Sequence, residues 1–395
     1  MKISYIVVTR NRCNSLLRML DILQHNTPLP RADWETLVVD NASTDGTARA
    51  VAQRWPPVHL IRNRRNEGLP ARNRAIARAL GEYCVLLDDD SYPVADAVPR
   101  AMETMDVDSR IGALVGRVVV PNGTEEAPAL PSVLIGCATV LRTDLVRRLG
   151  GFPRDFFRQA EEYDLSFRIW DAGYRVIRLE DIVFRHEKTP GNRASTLVHR
   201  LDMRNNLVLA HRYLPEPLST TYRQDWTQRY MALARHAGHG WSAWRGIAEA
   251  ALRRLAQAAR PARPVRCETV EHILQLQEQA RLIGDWARQR RIRNVAIADF
   301  SKNLYATYRG CLEAGLQITC IADNHPAYAT VVYRGIPVLP DAQARHGPAE
   351  GIVLSTVNPA RVEKRLGELE GAFGMPVLRL WQPRFLGAAA RRKVA

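Results

Sequence analysis

An apolar run at residues 83–87, Tyr-Cys-Val-Leu-Leu, stops without transition in Asp88-Asp89-Asp90. It is the fourth such run, after residues 3–9, 36–39 and 58–61. Helix-like segments stand between and after them, at residues 15–24, 47–54, 70–80 and 95–105. Short apolar runs alternating with amphipathic helices predict a parallel sheet covered by helices on both faces. In such a sheet, ligands bind just beyond the carboxyl ends of the strands. Three acids at that place repel one another unless a cation offsets them. Asp88 and Asp90 flank one residue, so both can reach a common divalent ion holding a diphosphate. The competing reading is a helix N-cap and first turn, where Asp is also favoured.

Further along, apolar runs at residues 112–120 and 132–141 predict strands, and Gly150-Gly151-Phe152-Pro153 predicts a turn. A helix is expected over residues 162–172, then strands over 175–179 and 182–186. Residues 197–258 read as helices, and Ala258-Ala259-Arg260-Pro261-Ala262-Arg263-Pro264 as a linker. A second α/β pattern follows, with helices at 269–290, 304–314 and 359–370 and strands at 295–298, 317–322, 351–355 and 376–380. Ala390-Arg391-Arg392-Lys393 reads as a frayed basic tail.

The chain has 395 residues, enough for two domains, with 46% hydrophobic and 25% charged residues. No apolar run approaches the ~20 residues needed to span a bilayer, and a strand begins at once with no signal-peptide pattern ahead of it. A cytoplasmic protein is expected. The 6 cysteines are scattered without a C-x-x-C pair, which suggests reduced, structural thiols. The net charge of +15 calls for nucleic acid, an anionic membrane or phosphorylated substrates. The arginines are spread along the chain, so no focused nucleic-acid footprint is visible.

Other strand ends carry polar clusters. Thr9-Arg10-Asn11-Arg12 follows the first strand, and Asp40 opens the turn Asn41–Thr47 after the second. Asn66-Glu67-Gly68 and then Arg72-Asn73 follow the third, where Arg72 could face a phosphate. Glu161-Glu162-Tyr163-Asp164 begins a helix, where an acid could serve as general base or merely suit the helix dipole. His186 ends a strand-like run.

Taken in order, Val-Thr-Arg-Asn-Arg, Val-Val-Asp-Asn-Ala-Ser-Thr-Asp-Gly-Thr, Asn-Glu-Gly with Ala-Arg-Asn, Leu-Leu-Asp-Asp-Asp, Glu-Glu-Tyr-Asp-Leu-Ser-Phe-Arg and His186 resemble the family 2 glycosyltransferases. The resemblance implies an α/β GT-A fold, a doubly wound mixed sheet, over residues 1–210. A helical segment and linker (211–260) and a second, smaller Rossmann-like α/β domain of uncertain role (265–395) would follow. It implies an inverting transfer of sugar from a UDP-, GDP- or dTDP-linked donor to an acceptor hydroxyl, with a lipid-linked saccharide among the candidate acceptors. The setting it suggests is bacterial surface polysaccharide or glycoconjugate synthesis. Thr9, Arg10, Arg12, Asp40, Asn66, Arg72, Asp88 and Asp89 would line the nucleotide pocket. Asp88, Asp90 and His186 would hold Mg²⁺ or Mn²⁺. The family usually has Glu-Asp where this chain has Glu161-Glu162, so Glu162 inherits the role of base, with Glu161 and Asp164 as rivals.

Residues 197–258 hold Trp226, Trp241 and Trp244 among many arginines. One reading is a helix resting on anionic lipid at the inner face of the membrane, and the favoured one is a helix packed on the protein. The last domain has Asp299-Phe300-Ser301-Lys302-Asn303 in place of a G-x-G-x-x-G turn, which weighs against dinucleotide binding. Its Asp-Asn-His at 323–325 resembles nucleotide- or sugar-nucleotide-sensing folds, and a structural, homodimerising or acceptor-positioning role is expected. The alternatives for the whole chain are a nucleotidyltransferase, which would show a glycine-rich phosphate loop absent from residues 9–14, or a nucleotide-binding regulatory protein.

Overall fold

The computed structural model describes residues 1–188, 195–257 and 263–385. The expected basic tail and most of the expected linker lie outside these residues. Two compact units divide the described chain: the first comprises residues 1–127, 132–188 and 383–385, the second Pro128–Pro131 and residues from 195 to Gln382.

The first unit is organised by strands β1 (Ile3–Thr9), β2 (Trp34–Asp40), β3 (His59–Arg62), β4 (Tyr83–Asp88), β5 (Ser91–Pro93), β6 (Ile111–Val119), β7 (Glu125–Glu126), β8 (Thr139–Arg142) and β9 (Arg175–His186). They form one sheet in the order β3-β2-β1-β4-β8-β6-β9-β5, with β7 added on β6. The strands β1 to β4 pair in parallel, and β8 enters antiparallel between β4 and β6. The sheet is therefore mixed and rich in parallel pairs. Its central strands are apolar throughout because helices cover both faces, and Ile3, Ile6, Val38, Val85 and Leu86 are fully buried.

Register places the chemistry. Thr9 lies opposite Asp40, and Val8 opposite Asp88, so β1, β2 and β4 end together on one edge of the sheet. The expected strands at 175–179 and 182–186 are one continuous β9, interrupted by an irregularity where the partner of Gly116 is Leu179 and that of Arg117 is Val183. That bulge lets β9 run on until His186 pairs with Ser91, next to Asp90. Two expectations prove too long. Of residues 132–141 only Thr139 onward is strand, and the helix expected over 70–80 is a 3₁₀ turn, Leu69–Ala71, followed by the short helix Arg72–Ile76.

The second unit contains the helices Ser195–Tyr213, Leu218–His236 and Gly240–Gln257. The first of them was expected to close the preceding domain at residue 210. It belongs here because its apolar residues, Leu201, Met203 and Leu209 among them, are buried in a bundle with the other two helices. That bundle is fastened to the α/β part of the same unit. The Trp226 indole donates to the Lys302 carbonyl (2.8 Å), and the Tyr222 hydroxyl to Asn303 Oδ1 (2.5 Å). The sheet comprises β10 (Asn294–Ala298), β11 (Gln317–Ala322), β12 (Val332–Tyr333), β13 (Ile336–Leu339), β14 (Gly351–Leu354) and β15 (Val377–Arg379), ordered β12-β13-β11-β10-β14-β15. The hairpin β12–β13 was not expected from the sequence. Its turn, Arg334-Gly335, has both φ angles positive, as a tight two-residue hairpin requires. The helix expected over 269–290 breaks at Gln275, whose left-handed backbone (φ 55°) separates Cys267–Leu274 from Leu276–Arg290.

Candidate active site

The three acids at the end of β4 have different surroundings. Asp89 is buried, accepts a hydrogen bond from Thr9 Oγ1 (2.8 Å) and lies 2.9 Å from Arg12 Nε. Burial pushes its carboxyl up to about 7, against the opposing pull of Arg12 and Thr9. Thr9, Arg12 and Asp89 therefore tie β1 to β4. This differs from the expectation that all three face a nucleotide. Arg12 also donates to Asp90 Oδ2 (2.6 Å). Asp88 stays partly exposed and accepts from Arg72 Nη2 (2.7 Å).

His186 closes the group from the opposite strand. Its Nε2 lies 3.1 Å from Asp90 Oδ1 and 3.8 Å from Asp88 Oδ2, and its Nδ1 lies 2.8 Å from Glu126 Oε2. Lys188 Nζ donates to the other Glu126 oxygen (2.6 Å). Burial disfavours a charged ring, yet hydrogen bonds to Asp90, Cys137 and Glu126 outweigh it and raise the His186 pKa, so a cation bound here would have to displace the proton from the ring. Asp88, Cys137 and His186 offer ligand atoms within 4.8 Å of one another. Burial pushes the Cys137 thiol up to about 11, so it stays protonated and is the weakest donor of the set. What remains is a carboxylate and imidazole group that fits a divalent cation.

Sequence reasoning missed Glu126 and Cys137. Glu126 sits in the two-residue strand β7, too short to leave a periodic signal, and Cys137 looks like any buried thiol in an apolar run.

Arg72 is almost wholly buried, and besides Asp88 it donates to the Gly136 carbonyl (2.9 Å). A Cβ at residue 136 would stand 2.6 Å from Arg72 Nη1, so glycine there admits the guanidinium. Arg10 is exposed at the end of β1. Asp40 is buried and accepts from the Ser43 amide (3.0 Å), which fixes the turn after β2. Asn66 accepts from Asn41 Nδ2 (2.8 Å) and from the Gly68 amide (3.0 Å), so it organises the loop after β3.

That loop reaches the acidic helix Glu161–Asp171. Gly68 has φ 71° and ψ −159°, a region open essentially to glycine, and the Leu69 amide donates to the Phe157 carbonyl (2.7 Å). On the other side of this contact, Phe157, Gln159 and Ala160 all carry left-handed φ angles (63°, 69° and 61°). Three such residues within four positions before a helix constitute local strain held in place by the surrounding structure. They set the start of the helix, where Glu162 is half-buried and Glu161 fully buried.

Asp164 is also buried, and Arg168 holds it through Nε (2.9 Å) and Nη2 (2.5 Å) while donating to the Gly151 carbonyl (2.6 Å). Its position suits fastening the helix to the Gly150-Gly151 turn more than proton transfer. Burial, and then the charge of Glu162, raise the Glu161 carboxyl well above its ordinary value. A carboxyl raised on folding favours the protonated native state, so stability falls as pH climbs from the unfolded pKa toward the folded one. Glu161→Gln removes this dependence. The melting temperature of the variant is expected to draw ahead of the parent's progressively above about pH 5, read by thermal melts across pH. Parallel curves would show that Glu161 is ionised in the fold.

In the second unit the acids at the strand ends are mutually engaged. Arg365 Nε donates to Asp299 Oδ1 (2.8 Å), and its Nη1 and Nη2 to Asp341 (2.6 and 2.8 Å). Asp323 accepts from the amides of Phe300 and His325 (both 2.7 Å). Arg365 thus engages Asp299 and Asp341, while backbone amides engage Asp323. No helix among the described residues is long and apolar enough to cross a membrane.

The family description "Glycosyl transferase family 2" matches residues 4–163, which lie within the first unit except for Pro128–Pro131. The chain is 26% identical over 211 residues to glycosyltransferase AglE of Haloferax volcanii, covering 48% of this chain and 67% of that protein. It is 32% identical over 126 residues to the putative teichuronic acid biosynthesis glycosyltransferase TuaG of Bacillus subtilis, covering 27% of this chain and 50% of the relative. Among solved structures, TarS 1–349 of S. aureus in complex with UDP-GlcNAc aligns with a TM-score of 0.49 and 19% identity, over 80% of this chain and 93% of that one. The first unit thus carries a domain that matches the family 2 glycosyltransferases.

Proposed function

We propose that the first unit transfers a sugar from a nucleoside diphosphate sugar to an acceptor hydroxyl with inversion at the anomeric carbon. The observation that carries this reading is the convergence of Asp88, Asp90 and His186 at the strand ends, a few residues from Thr9 and Asp40 in register. Asp40, Arg10 and Asn66 lie along the edge where the base and ribose would sit, and Arg72 fixes the carboxylate of Asp88 beside the diphosphate. Asp88, Asp90 and His186 would hold Mn²⁺ or Mg²⁺. When bound, the cation offsets the charge that gathers on the leaving diphosphate.

Glu162 takes the proton of the acceptor hydroxyl as its oxygen bonds to the anomeric carbon. The bond from that carbon to the diphosphate oxygen breaks, and the nucleoside diphosphate departs with the electron pair. Exposure favours Glu162 over Glu161, whose carboxyl is buried and raised well above its ordinary value. The setting we propose is the cytoplasm, in bacterial surface polymer assembly, in keeping with the role for which TuaG is named. Beside the Phe157 segment a cavity of about 640 Å³ is lined by Arg65, Arg74, Arg78 and Arg154, which suits an acceptor bearing negative charge. The second unit, with its strand-end acids paired internally, serves structure rather than a second nucleotide site.

Thermal shift with UDP-, GDP- and dTDP-sugars plus Mn²⁺ tests the reading. One donor class is expected to stabilise the protein in a metal-dependent way, and no shift with any of them would count against it. Glu126 orients His186 from behind the metal group. Glu126→Gln is therefore expected to weaken Mn²⁺ binding by about ten- to a hundredfold in calorimetric titration. Unchanged affinity would remove His186 from the metal group.

A further inference from the structure

The helix Gly240–Gln257 carries two faces. Ala243 and Ala250 are buried, and Glu249 accepts from Arg245 (3.0 Å) and lies within 3.5 Å of Arg204, so one side of the helix packs on the bundle. The other side exposes large apolar groups: Trp241 is 88% exposed, Trp244 52%, Leu252 66% and Leu255 67%. At roughly 100° per residue these four and Ala248 fall within about 80° of arc, a continuous stripe along the helix. Scattered exposed apolar residues are ordinary, but four large ones aligned on one helix are not.

Charge lies on both flanks of the stripe. Arg245 is 69% exposed on one side. On the other is a cavity of about 800 Å³, with Leu207, Ile247 and Ala251 on its apolar wall and His211, Arg223 and Arg254 among its polar lining. Burial, and then the charges of Arg223 and Arg254, hold the His211 ring below its ordinary value, which shows how closely positive charge is gathered there.

We infer that the helix Gly240–Gln257 docks the protein on an anionic lipid surface, with Trp241, Trp244, Leu252 and Leu255 in the headgroup boundary and the flanking arginines against acidic headgroups. Tryptophan prefers that boundary, where its ring is apolar and its N–H wet. Arginines near an anionic leaflet add attraction. A second copy of the chain would instead bring the same arginines face to face, at a cost in repulsion. The net charge of +15 favours the lipid surface further. Membrane docking goes beyond the sugar-transfer reading and does not depend on it.

The test is co-sedimentation of the full chain with phosphatidylcholine vesicles, alone or with about one third phosphatidylglycerol. Binding is expected only to the anionic vesicles, weakened by high salt, with a blue shift of tryptophan fluorescence. The double variant Trp241→Ser/Trp244→Ser is expected to bind about tenfold or more weakly while melting at the parent's temperature, since both side chains are exposed. A second variant, Leu252→Ser/Leu255→Ser, should act in the same direction. Protein left in the supernatant, or variants that bind like the parent, would overturn the inference. Light scattering that shows a dimer in the parent and a monomer in the tryptophan variant would also overturn it, assigning the stripe to a second copy. No sugar donor is needed in any of these measurements, so their outcome is separate from that of the transfer assay.

Discussion

Glu162→Gln is expected to lower sugar transfer by about a thousandfold while the protein still binds its donor. General base catalysis contributes roughly 10² to 10⁴ in rate, and a carboxamide of the same shape cannot accept the proton. Donor binding survives because the groups beside the diphosphate sit on other elements than the helix Glu161–Asp171: Asp88 on β4, Asp90 in the turn after it and His186 on β9. The measurement is single-turnover transfer beside calorimetric donor binding. A variant that transfers at the parent's rate would remove Glu162 from the role. Glu161→Gln supplies the contrast: its carboxyl is buried and raised well above its ordinary value, which suits it poorly as a base, so the amide should preserve transfer to within a few fold.

Gly68→Ala is expected to lower transfer by about a hundredfold although residue 68 performs no chemistry, because small misplacements of catalytic groups have effects of that size. A Cβ there would stand 2.0 Å from the Phe157 carbonyl oxygen and 2.8 Å from its Cα, both backbone atoms that cannot rotate aside. The backbone of Gly68 is also in a region that costs a residue with a side chain on the order of 1–3 kcal/mol. Relief requires the segment from Phe157 to Ala160 to shift, and that segment fixes where Glu162 begins its helix. A fall in the turnover number with donor affinity retained is the expected signature, accompanied by a lower melting temperature. Full activity with a lower melting temperature would show that the segment's position is unrelated to the base.

The β-α alternation and the strand ends of β1 and β4 were legible because buried parallel strands are apolar throughout and each ends in abrupt polarity. The run of residues 3–9 and the helix of residues 47–54 agree with the observed Ile3–Thr9 and Thr47–Arg54. The carboxylates of β4 were legible for the same reason. What the sequence concealed depends on tertiary partners. Nothing local announces that Glu126, in a two-residue strand, orients His186, or that Arg12 and Thr9 turn inward onto Asp89. The bulge in β9 looked like the gap between two strands, because a bulge and a chain break interrupt alternation alike. Asp164 and Glu162 share a helix and a residue class, and only burial and the reach of Arg168 distinguish them. The stripe on Gly240–Gln257 was visible as amphipathicity, but only the fold shows that its tryptophans face outward while the alanines pack.

In the proposed reaction, Glu162 and the Asp88–Asp90–His186 group act together to transfer sugar from a nucleotide donor. Product analysis with a panel of nucleotide sugars and Mn²⁺ tests it most directly, on the parent and on Glu162→Gln. The parent is expected to release nucleoside diphosphate from one donor class, a release abolished by chelation of the metal and nearly abolished in the variant. Release of pyrophosphate in place of nucleoside diphosphate, or equal release by parent and variant, would contradict it.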